Sequence, residues 1–318
     1  RTMKKVLITG ITGFAGSHLK DNLLSNKDIN LFGTDVKGQQ VDGVSMSKVD
    51  LTDKTSTEEL IKDILPDYTF HLAALASPAK SFNDPYATID NNIKAEINLL
   101  EALRKYNQKA KILIIGSGDE YGLVYEKENP ITENQTFRPT SPYSVSKIAQ
   151  DMLGYQYFVS FKMQIVRVRP FNHIGPRQTA QFMVPAFARQ IAEIETGIKP
   201  EIISVGNLSS IRDFTDVSDM AKAYWLAIEQ GAPGEVYNIG SGNGVKTEEI
   251  LNSLLSLSVK KIKIQINKDL FRPSDNPVLI CNADKFRNLT GWKPEINLNQ
   301  SLKQILDYWR GVVRKEQL

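Results

Sequence analysis

The fold of this chain is decided by residues 4–16, which read Lys-Lys-Val-Leu-Ile-Thr-Gly-Ile-Thr-Gly-Phe-Ala-Gly. Residues 4–9 form a short apolar run typical of a buried strand in a parallel sheet. Glycines follow at positions 10, 13 and 16, and Ser17 to Ser25 reads as a helix. A strand, a glycine turn and a helix N-terminus can hold a dinucleotide pyrophosphate, because the backbone approaches the phosphates closely there. We therefore expect an α/β fold with a dinucleotide site at its first turn.

A second apolar run, Asn30 to Thr34, ends at Asp35, about 20 residues after the glycines. An acidic residue at this point hydrogen-bonds the adenosine ribose and repels a 2′-phosphate, which favours NAD. Lys37 follows closely and could accept that phosphate, so NADP stays open. Asp35 could also be an ordinary loop carboxylate.

A second motif, Ser-Pro-Tyr-Ser-Val-Ser-Lys at 141–147, places a tyrosine and a lysine one helical turn apart on the same face. Ser141 suits the N-cap and Pro142 the first helical position, so Tyr143 would lie at the positive end of the helix dipole. An ammonium beside a phenol favours the phenolate, so we expect Lys147 to lower the pKa of Tyr143 towards neutrality. Such a pair can exchange protons with a substrate, although the same spacing occurs by chance on many helices.

The composition limits the function classes. The chain has 318 residues, is 41% apolar and has a net charge of +3, which allows a large core and argues against a nucleic-acid binder. The single cysteine, Cys281, fits a reducing cytoplasm, and the scattered histidines give no metal-site spacing. No apolar stretch approaches the ~20 residues needed to cross a bilayer, and no signal peptide is recognisable. We expect a cytoplasmic protein without a membrane or nucleic-acid partner.

The two motifs and their surroundings resemble the extended short-chain dehydrogenase/reductase family, especially its nucleotide-sugar branch, from Lys4 to about Trp309. Three more stretches carry the resemblance. Val-Asp-Leu-Thr-Asp at 49–53 is similar to the turn that contacts adenine. His-Leu-Ala-Ala at 71–74 is similar to the end of the fourth strand. Ile-Leu-Ile-Ile-Gly-Ser-Gly-Asp-Glu-Tyr-Gly at 112–122 is similar to the fifth strand and its catalytic hydroxyl.

This resemblance implies a Rossmann domain with a smaller α/β substrate lobe, NAD or NADP as hydride carrier, and a catalytic set of Ser117, Tyr143 and Lys147. It implies that Asn172 and Arg212 hold a diphosphate. The implied cofactor-binding residues are Gly10, Thr12, Gly13, Phe14, Ala15, Gly16, Asp35, Asp50, Leu51, Leu72, Ala73, Ala74, Tyr143, Lys147 and Phe171. The implied substrate-binding residues are Asp119, Asn172, Arg189, Arg212 and Arg272, although Arg189 could simply be solvated.

The domain organisation follows the alternation of strands and helices, which continues to about Arg169. We expect a dinucleotide-binding domain over 3–170, to which 211–240 returns through a strand near its end. The substrate lobe is expected to combine 171–210 and 241–318. Within 211–240, the residues up to 219 are expected to lead into a helix through Ile228.

Within the branch, the chain resembles GDP-4-keto-6-deoxymannose reductases and GDP-mannose 4,6-dehydratases. Dehydratases of this kind place a glutamate two residues before the tyrosine that matches Tyr121. Here Asp119 stands at that position and the glutamate is Glu120, which in an extended segment would face the opposite side. The pattern favours a reductase that forms GDP-D-rhamnose, with both acids in a solvated turn. A GDP-mannose 4,6-dehydratase, a nucleotide-sugar 4-epimerase and a non-catalytic NAD-binding protein are the alternatives.

Self-association is also implied by the resemblance. In the family, the helix after Asn92 and the helix that carries Tyr143 pair across a homodimer axis. An apolar stripe fits such an interface, but it could equally cover the sheet. The stripe consists of Ile93, Ile97, Leu100 and Leu103.

Overall fold

The computed structural model of the protein describes residues 3–271 and 276–318. Its larger part is a seven-stranded parallel sheet with the strand order β10-β6-β5-β4-β1-β2-β3. The strands are β1 Lys4–Thr9, β2 Ile29–Asp35, β3 Ser45–Lys48, β4 Tyr68–His71, β5 Lys111–Ile115, β6 Gln164–Pro170 and β10 Val236–Ile239. The order reverses between β1 and β4, and this switch point is where ligands bind in doubly wound folds.

Helices cover both faces of this sheet. They are α1 Phe14–Leu24, α2 Lys54–Ile64, α3 Pro78–Asn83, α4 Pro85–Tyr106, α5 Pro142–Phe161, α7 Val217–Gln230 and α9 Asp284–Thr290. One buried apolar cluster joins α1 and α7 to the sheet, and another joins α2 and α4 to its opposite face. In β1, residues 6–8 are apolar and fully buried, as expected for a strand that helices cover on both faces.

A smaller α/β lobe completes the chain. Its strands are β7 Asn172–Ile174, β8 Ile202–Val205, β9 Ile211–Asp216, β11 Gly244–Lys246, β12 Lys263–Ile266 and β13 Val278–Leu279. In this lobe β9 pairs with β7, β11 and β13, and β8 pairs with β12. Its helices, α6 Met183–Glu195, α8 Thr247–Ser256 and α10 Leu298–Glu316, share a separate apolar cluster. The expected fold class is therefore confirmed.

Two boundaries differ from the sequence-based expectation. Helix α1 begins at Phe14 rather than Ser17, so the glycine turn leads straight into it. The segment 211–240 is divided: β9 lies in the small lobe, whereas β10 is a strand of the large sheet and α7 packs against that sheet. Residues 211–216 form a strand that leads directly into α7, which begins at Val217 and continues past Ile228.

The helix stripe expected at a dimer axis is split between two surroundings. Leu100 and Leu103 are fully buried and pack against the sheet of their own chain. Ile93 and Ile97 are only half-buried on α4. No helix within the two described ranges is long and apolar enough to cross a membrane.

Candidate active site

The glycine turn lies at the switch point between β1 and β4. Gly10 has a φ of +65° and its backbone packs on Ala73, where an added Cβ would come within 2.9 Å of the Ala73 Cα. The Ala73 amide donates to Thr9 Oγ1 at 3.1 Å, which ties the end of β1 to the segment that follows β4. The turn therefore needs glycine at position 10 and brings both strand ends to one crevice.

The N-terminus of α1 fits a pyrophosphate. A Cβ on Gly16 would clash with the carbonyl of Gly10, so this glycine allows the helix to pack directly on the turn. Gly13 is the N-cap, no side chain caps the helix, and its first turn contains no acidic residue. Uncapped amide groups at the positive end of a helix are the donors that a phosphate requires.

Asp35 and Asp50, the acidic residues expected to contact the adenosine, have different surroundings. Asp35 ends β2 and is buried, and its Oδ1 accepts from the amides of Gly38 and Gln39, the latter at 3.2 Å. Its carboxylate thus shapes the loop that follows β2 at the sheet edge beside the glycine turn. Asp50 is exposed, and its Oδ1 accepts from the amide of Thr52 at 2.9 Å. Both stand at carboxyl ends of strands or just beyond them, as a dinucleotide site requires.

Helix α5 carries the tyrosine and the lysine as predicted. Ser141 caps it by accepting from the Ser144 amide at 3.0 Å, and Pro142 takes the first position. Tyr143 and Lys147 are both buried, at 7% and 5% exposure. Lys147 Nζ donates to the carbonyl of Ile115 at 2.9 Å, so the ammonium is directed at the end of β5.

The expected low pKa of Tyr143 is not what the structure gives. Burial raises the pKa of the Tyr143 phenol well above its usual value, and the nearby charge of Asp119 adds to this effect. A hydrogen bond with Ser117 opposes it only in part. The Lys147 ammonium donates a hydrogen bond to the Ile115 carbonyl, not to the phenol. Tyr143 is therefore a protonated phenol at neutral pH, the form that a general acid needs.

Residues 118–121 form a 3₁₀ turn, not the extended segment assumed above. Ser117 caps it, and its amide donates to Glu120 Oε1 at 2.8 Å. Glu120 is fully buried, and its Oε2 lies 3.3 Å from Arg169 Nε. The prediction of a solvated acidic turn is wrong for Glu120. Asp119 is half-buried, and its charge raises the pKa of Tyr143 more than the charge of Glu120 does.

The expected substrate residues are brought together only in part. Asn172 on β7 and Arg212 on β9 lie in paired strands of the small lobe. Arg212 Nη1 donates to the carbonyl of Asn276 at 2.7 Å. The ring of Phe171 is buried against Tyr121. Arg272 lies outside the described residues.

Among the expected substrate residues that the structure describes, Arg189 is held by partners of its own lobe. Its guanidinium pairs with Glu193 and with Glu316, both at 2.9 Å, and stacks on Trp309. These partners belong to α6 and α10, so Arg189 joins two helices of the small lobe. Arg189 is thus ion-paired within the small lobe and not simply solvated.

Two buried polar groups near the site were missed by sequence reasoning. Glu96 on α4 is fully buried, with its Oε2 3.9 Å from His71 Nε2. Asp151 on α5 binds Arg167 at 2.5 Å and Arg169 at 2.6 Å. The only sequence signal for Glu96 is its place within an apolar helical stripe. Across the described residues, no group of three or more His, Cys, Asp or Glu could hold a metal ion.

The fold and this site together define an extended short-chain dehydrogenase/reductase. The model of the family described as GDP-mannose 4,6 dehydratase matches residues 7–305, and the chain belongs to that family. The GDP-6-deoxy-D-mannose reductase of Pseudomonas aeruginosa is 34% identical over 98% of this chain and 99% of its own length. The GDP-mannose 4,6 dehydratase 2 of Arabidopsis thaliana is 28% identical over 99% of this chain and 89% of its own.

Solved structures agree with this placement. The RMD of Pseudomonas aeruginosa, complexed with NADPH, superposes with a TM-score of 0.86 at 32% identity and covers 98% of this chain and 100% of its own. The Thermus thermophilus UDP-glucose 4-epimerase, complexed with NAD, superposes with a TM-score of 0.87 at 29% identity, covering 96% and 99%. The architecture is thus common to reductases and epimerases, and the chemistry must be argued from the site.

Proposed function

We propose that the protein reduces the C4 keto group of GDP-4-keto-6-deoxy-D-mannose to GDP-D-rhamnose, with NADPH or NADH as the hydride donor. The observation that carries this proposal is the 34% identity to the GDP-6-deoxy-D-mannose reductase of Pseudomonas aeruginosa over nearly the full length of both chains. The burial of Glu120 behind Ser117 and against Arg169 supports it, because it leaves the shorter Asp119 as the acid of this turn that a dehydratase would have to use as its base at C5. The remaining site residues are sufficient for a single hydride transfer.

Each member of the set then has one task. A bound reduced nicotinamide supplies the hydride. Tyr143, held as a neutral phenol, donates its proton to the alkoxide that develops at C4. Ser117, within hydrogen-bond reach of Tyr143, orients the same oxygen. Lys147 is the cation on the same helix face and binds the nicotinamide ribose.

The small lobe supports a nucleoside-diphosphate sugar as substrate. Asn172 and Arg212 lie on paired strands near the carboxyl end of β6, and an arginine fork can donate two hydrogen bonds to diphosphate oxygens. The similarity to the GDP-6-deoxy-D-mannose reductase of Pseudomonas aeruginosa, over nearly its full length, supports guanosine as the nucleoside of the substrate.

The alternatives differ from the proposed reductase because none of them consumes reduced coenzyme. A GDP-mannose 4,6-dehydratase, which the family description and Asp119 favour, would use this acid as the base and regenerate its coenzyme. A 4-epimerase would also recycle the coenzyme. A non-catalytic NAD-binding protein would not need the intact set of Ser117, Tyr143 and Lys147.

The test is to mix the purified protein with NADPH or NADH and enzymatically made GDP-4-keto-6-deoxymannose and to follow the absorbance of the reduced nicotinamide. Loss of absorbance that requires the keto-sugar supports the reductase. The coenzyme that gives the faster rate shows whether the residues near Asp35 and Lys37 favour NADH or NADPH. Conversion of GDP-mannose to a keto-sugar without net redox change would overturn the proposal in favour of the dehydratase.

The protein is further proposed to act in the cytoplasm as a homodimer through the outer faces of α4 and α5. Half-buried Ile93 and Ile97 lie on the first helix. The second exposes a row of apolar side chains, which a partner copy would cover. The row consists of Val145, Met152, Tyr155 and Val159. Light scattering should give twice the chain mass, and Met152→Lys should reduce it.

A further inference from the structure

The helix that carries the candidate general acid is capped in part by a residue far away in the chain. The first residues of a helix have backbone amides without an acceptor in the helix itself. In α5, Pro142 has no amide proton, and the Ser144 amide donates to the local cap, Ser141. The Tyr143 amide donates instead to Ser81 Oγ at 3.1 Å, 62 residues earlier in the chain. A side chain of another helix therefore holds the backbone of Tyr143.

The hydroxyl of Ser81 is oriented to accept this hydrogen bond. Ser81 lies on the short helix α3 and is fully buried. Its hydroxyl proton is donated to the carbonyl of Pro78 at 2.7 Å, which leaves the lone pairs of the oxygen for the Tyr143 amide. Because a backbone amide is a donor only, the direction of both hydrogen bonds is fixed. Replacing Ser81 by alanine would take away the acceptor of the Tyr143 amide.

The carbonyl of Tyr143 is also held by buried side chains. Ser146 Oγ donates to it at 2.7 Å and accepts from Asn92 Nδ2 at 3.0 Å. The Asn92 side chain also pairs with the backbone of Leu75, accepting from its N–H at 2.7 Å and donating to its carbonyl at 3.2 Å. Ser146 and Asn92 have no exposed surface. Both backbone groups of Tyr143 are thus linked to the segment 75–83 that follows β4.

This segment joins two parts of the candidate site. It directly follows residues 72–74, the expected coenzyme contacts at the switch point of the sheet. Its other end meets α5 through Ser81, beside the phenol of Tyr143 that hydrogen-bonds with Ser117. A general acid must lie within hydrogen-bond reach of the oxygen that it protonates. A displacement of about 1 Å can lower a rate about 10²-fold.

We propose that Ser81 is a positioning residue that fixes the backbone amide of Tyr143 and so holds the phenol against the C4 oxygen of the substrate. The inference rests on the proposed function and deepens it through the role of Tyr143. Ser81 itself is closed off from substrate and coenzyme, because it is fully buried and both of its hydrogen bonds are made with protein backbone. Its loss should therefore slow proton transfer and leave ligand binding in place.

The first test compares the kinetics of the wild-type protein and Ser81→Ala with NADPH and the keto-sugar. We expect kcat to fall by about 10- to 10²-fold, with little change in KM for the keto-sugar or in NADPH affinity. Since a misaligned acid makes proton transfer the slow step, the solvent deuterium isotope effect on kcat should rise. A smaller folded fraction would lower kcat without this rise. An unchanged kcat, or an isotope effect equal to that of the wild type, would overturn the proposal.

Ser77→Ala is the matched control. Ser77 caps α3 itself by accepting from the Lys80 amide at 3.3 Å, so the variant makes the same chemical change without touching Tyr143. Its kcat and isotope effect should match the wild type. Equal losses in Ser77→Ala and Ser81→Ala would assign the effect to the stability of α3 and refute the positioning role. If Ser81→Ala does not fold, Ser81→Cys takes its place with the same expected results, because it keeps the size and has only a weak acceptor.

Hydrogen exchange of the Tyr143 amide, followed by NMR, separates this inference from the proposed function. The measurement needs neither coenzyme nor sugar, and it reports the contact with Ser81 directly. We expect the amide to exchange faster in Ser81→Ala than in the wild type and in Ser77→Ala. A wild-type protein that fails to reduce the keto-sugar would sink the reductase, and the exchange rates would then decide whether Ser81 holds Tyr143. Equal rates in all three proteins would contradict the proposal.

Discussion

The backbone amide of Ser117 donates a hydrogen bond of 2.8 Å to Glu120 Oε1, so a fully buried carboxyl closes the turn that presents the candidate catalytic hydroxyl. The same carboxyl lies against Arg169, which Asp151 also binds. Burial and the charge of Asp151 raise the pKa of Glu120 well above its usual range. Glu120 therefore supports the site from behind instead of facing the substrate.

Glu120→Ala should lower the free energy of unfolding by about 2 to 4 kcal/mol, because it leaves the Ser117 amide and Arg169 short of a buried partner. Denaturant unfolding followed by circular dichroism measures this change. Glu126→Ala, which removes an exposed glutamate a few residues later, is the matched control and should stay within about 0.5 kcal/mol of the wild type. Equal stability of the two variants would contradict the structural role of Glu120.

Asp119→Asn should move the alkaline limb of the reductase rate to lower pH. Asp119 raises the pKa of Tyr143, after burial the largest cause, and Ser117 opposes it. Removing the negative charge lowers the pKa of Tyr143, so the phenol loses its proton, and the general acid is lost, at a lower pH. The measurement is kcat/KM against pH, with Asp119→Glu as the charge-conserving control. An alkaline limb that does not move would contradict the electrostatic effect of Asp119 on Tyr143.

Tyr143→Phe should lower kcat by about 10²- to 10⁴-fold, the usual contribution of a general acid, with little change in coenzyme affinity. Steady-state rates and NADPH fluorescence titration measure the two quantities. Tyr155→Phe removes a hydroxyl from an exposed position of the same helix and should retain near wild-type rates. A Tyr143→Phe variant that is almost as active as the wild type would sink the mechanism.

The sequence carried the parts of the site that are encoded locally. Residues 4–9, the glycine turn and the Ser141 cap were predictable, because each depends on neighbours within a few positions. The strand β9 was not, since its buried Asp213 is satisfied by the amides of Ser241, Gly242 and Cys281, far away in the chain.

The electrostatics of the site depend even more on distant contacts. The pKa of Tyr143 was expected to fall because Lys147 lies one turn away. The structure directs that ammonium to the Ile115 carbonyl, and burial by the surrounding chain then decides the sign. From the sequence alone Glu120 is predicted to be a surface acid, because Arg169 and Asp151, which surround it in the structure, are distant in the chain.

Arg212→Met should raise KM for the GDP-sugar by about tenfold or more, because a charge-assisted hydrogen bond to a diphosphate contributes about 1.5 to 3 kcal/mol. Initial rates over a range of keto-sugar concentrations give KM and kcat separately. Arg189→Met is the matched control, since this arginine is paired with Glu193 and Glu316 between two helices. A rise in KM for Arg189→Met but not for Arg212→Met would reverse the assignment of the two arginines.

Gly16→Ala should abolish coenzyme binding and destabilise the protein. The added methyl group would lie inside van der Waals contact with the Gly10 carbonyl, 2.9 Å from the Ile11 Cα, so α1 would have to move away from the turn that receives the pyrophosphate. Gly311→Ala makes the same change within α10, where an added Cβ meets no atom within 4 Å. This control should keep its coenzyme affinity and gain about 0.5 to 1 kcal/mol of stability, because alanine loses less conformational entropy than glycine in a helix.

NADPH titration and thermal unfolding of the pair therefore test the glycine turn itself. A Gly16→Ala variant that binds NADPH as tightly as Gly311→Ala would show that the coenzyme does not use this turn.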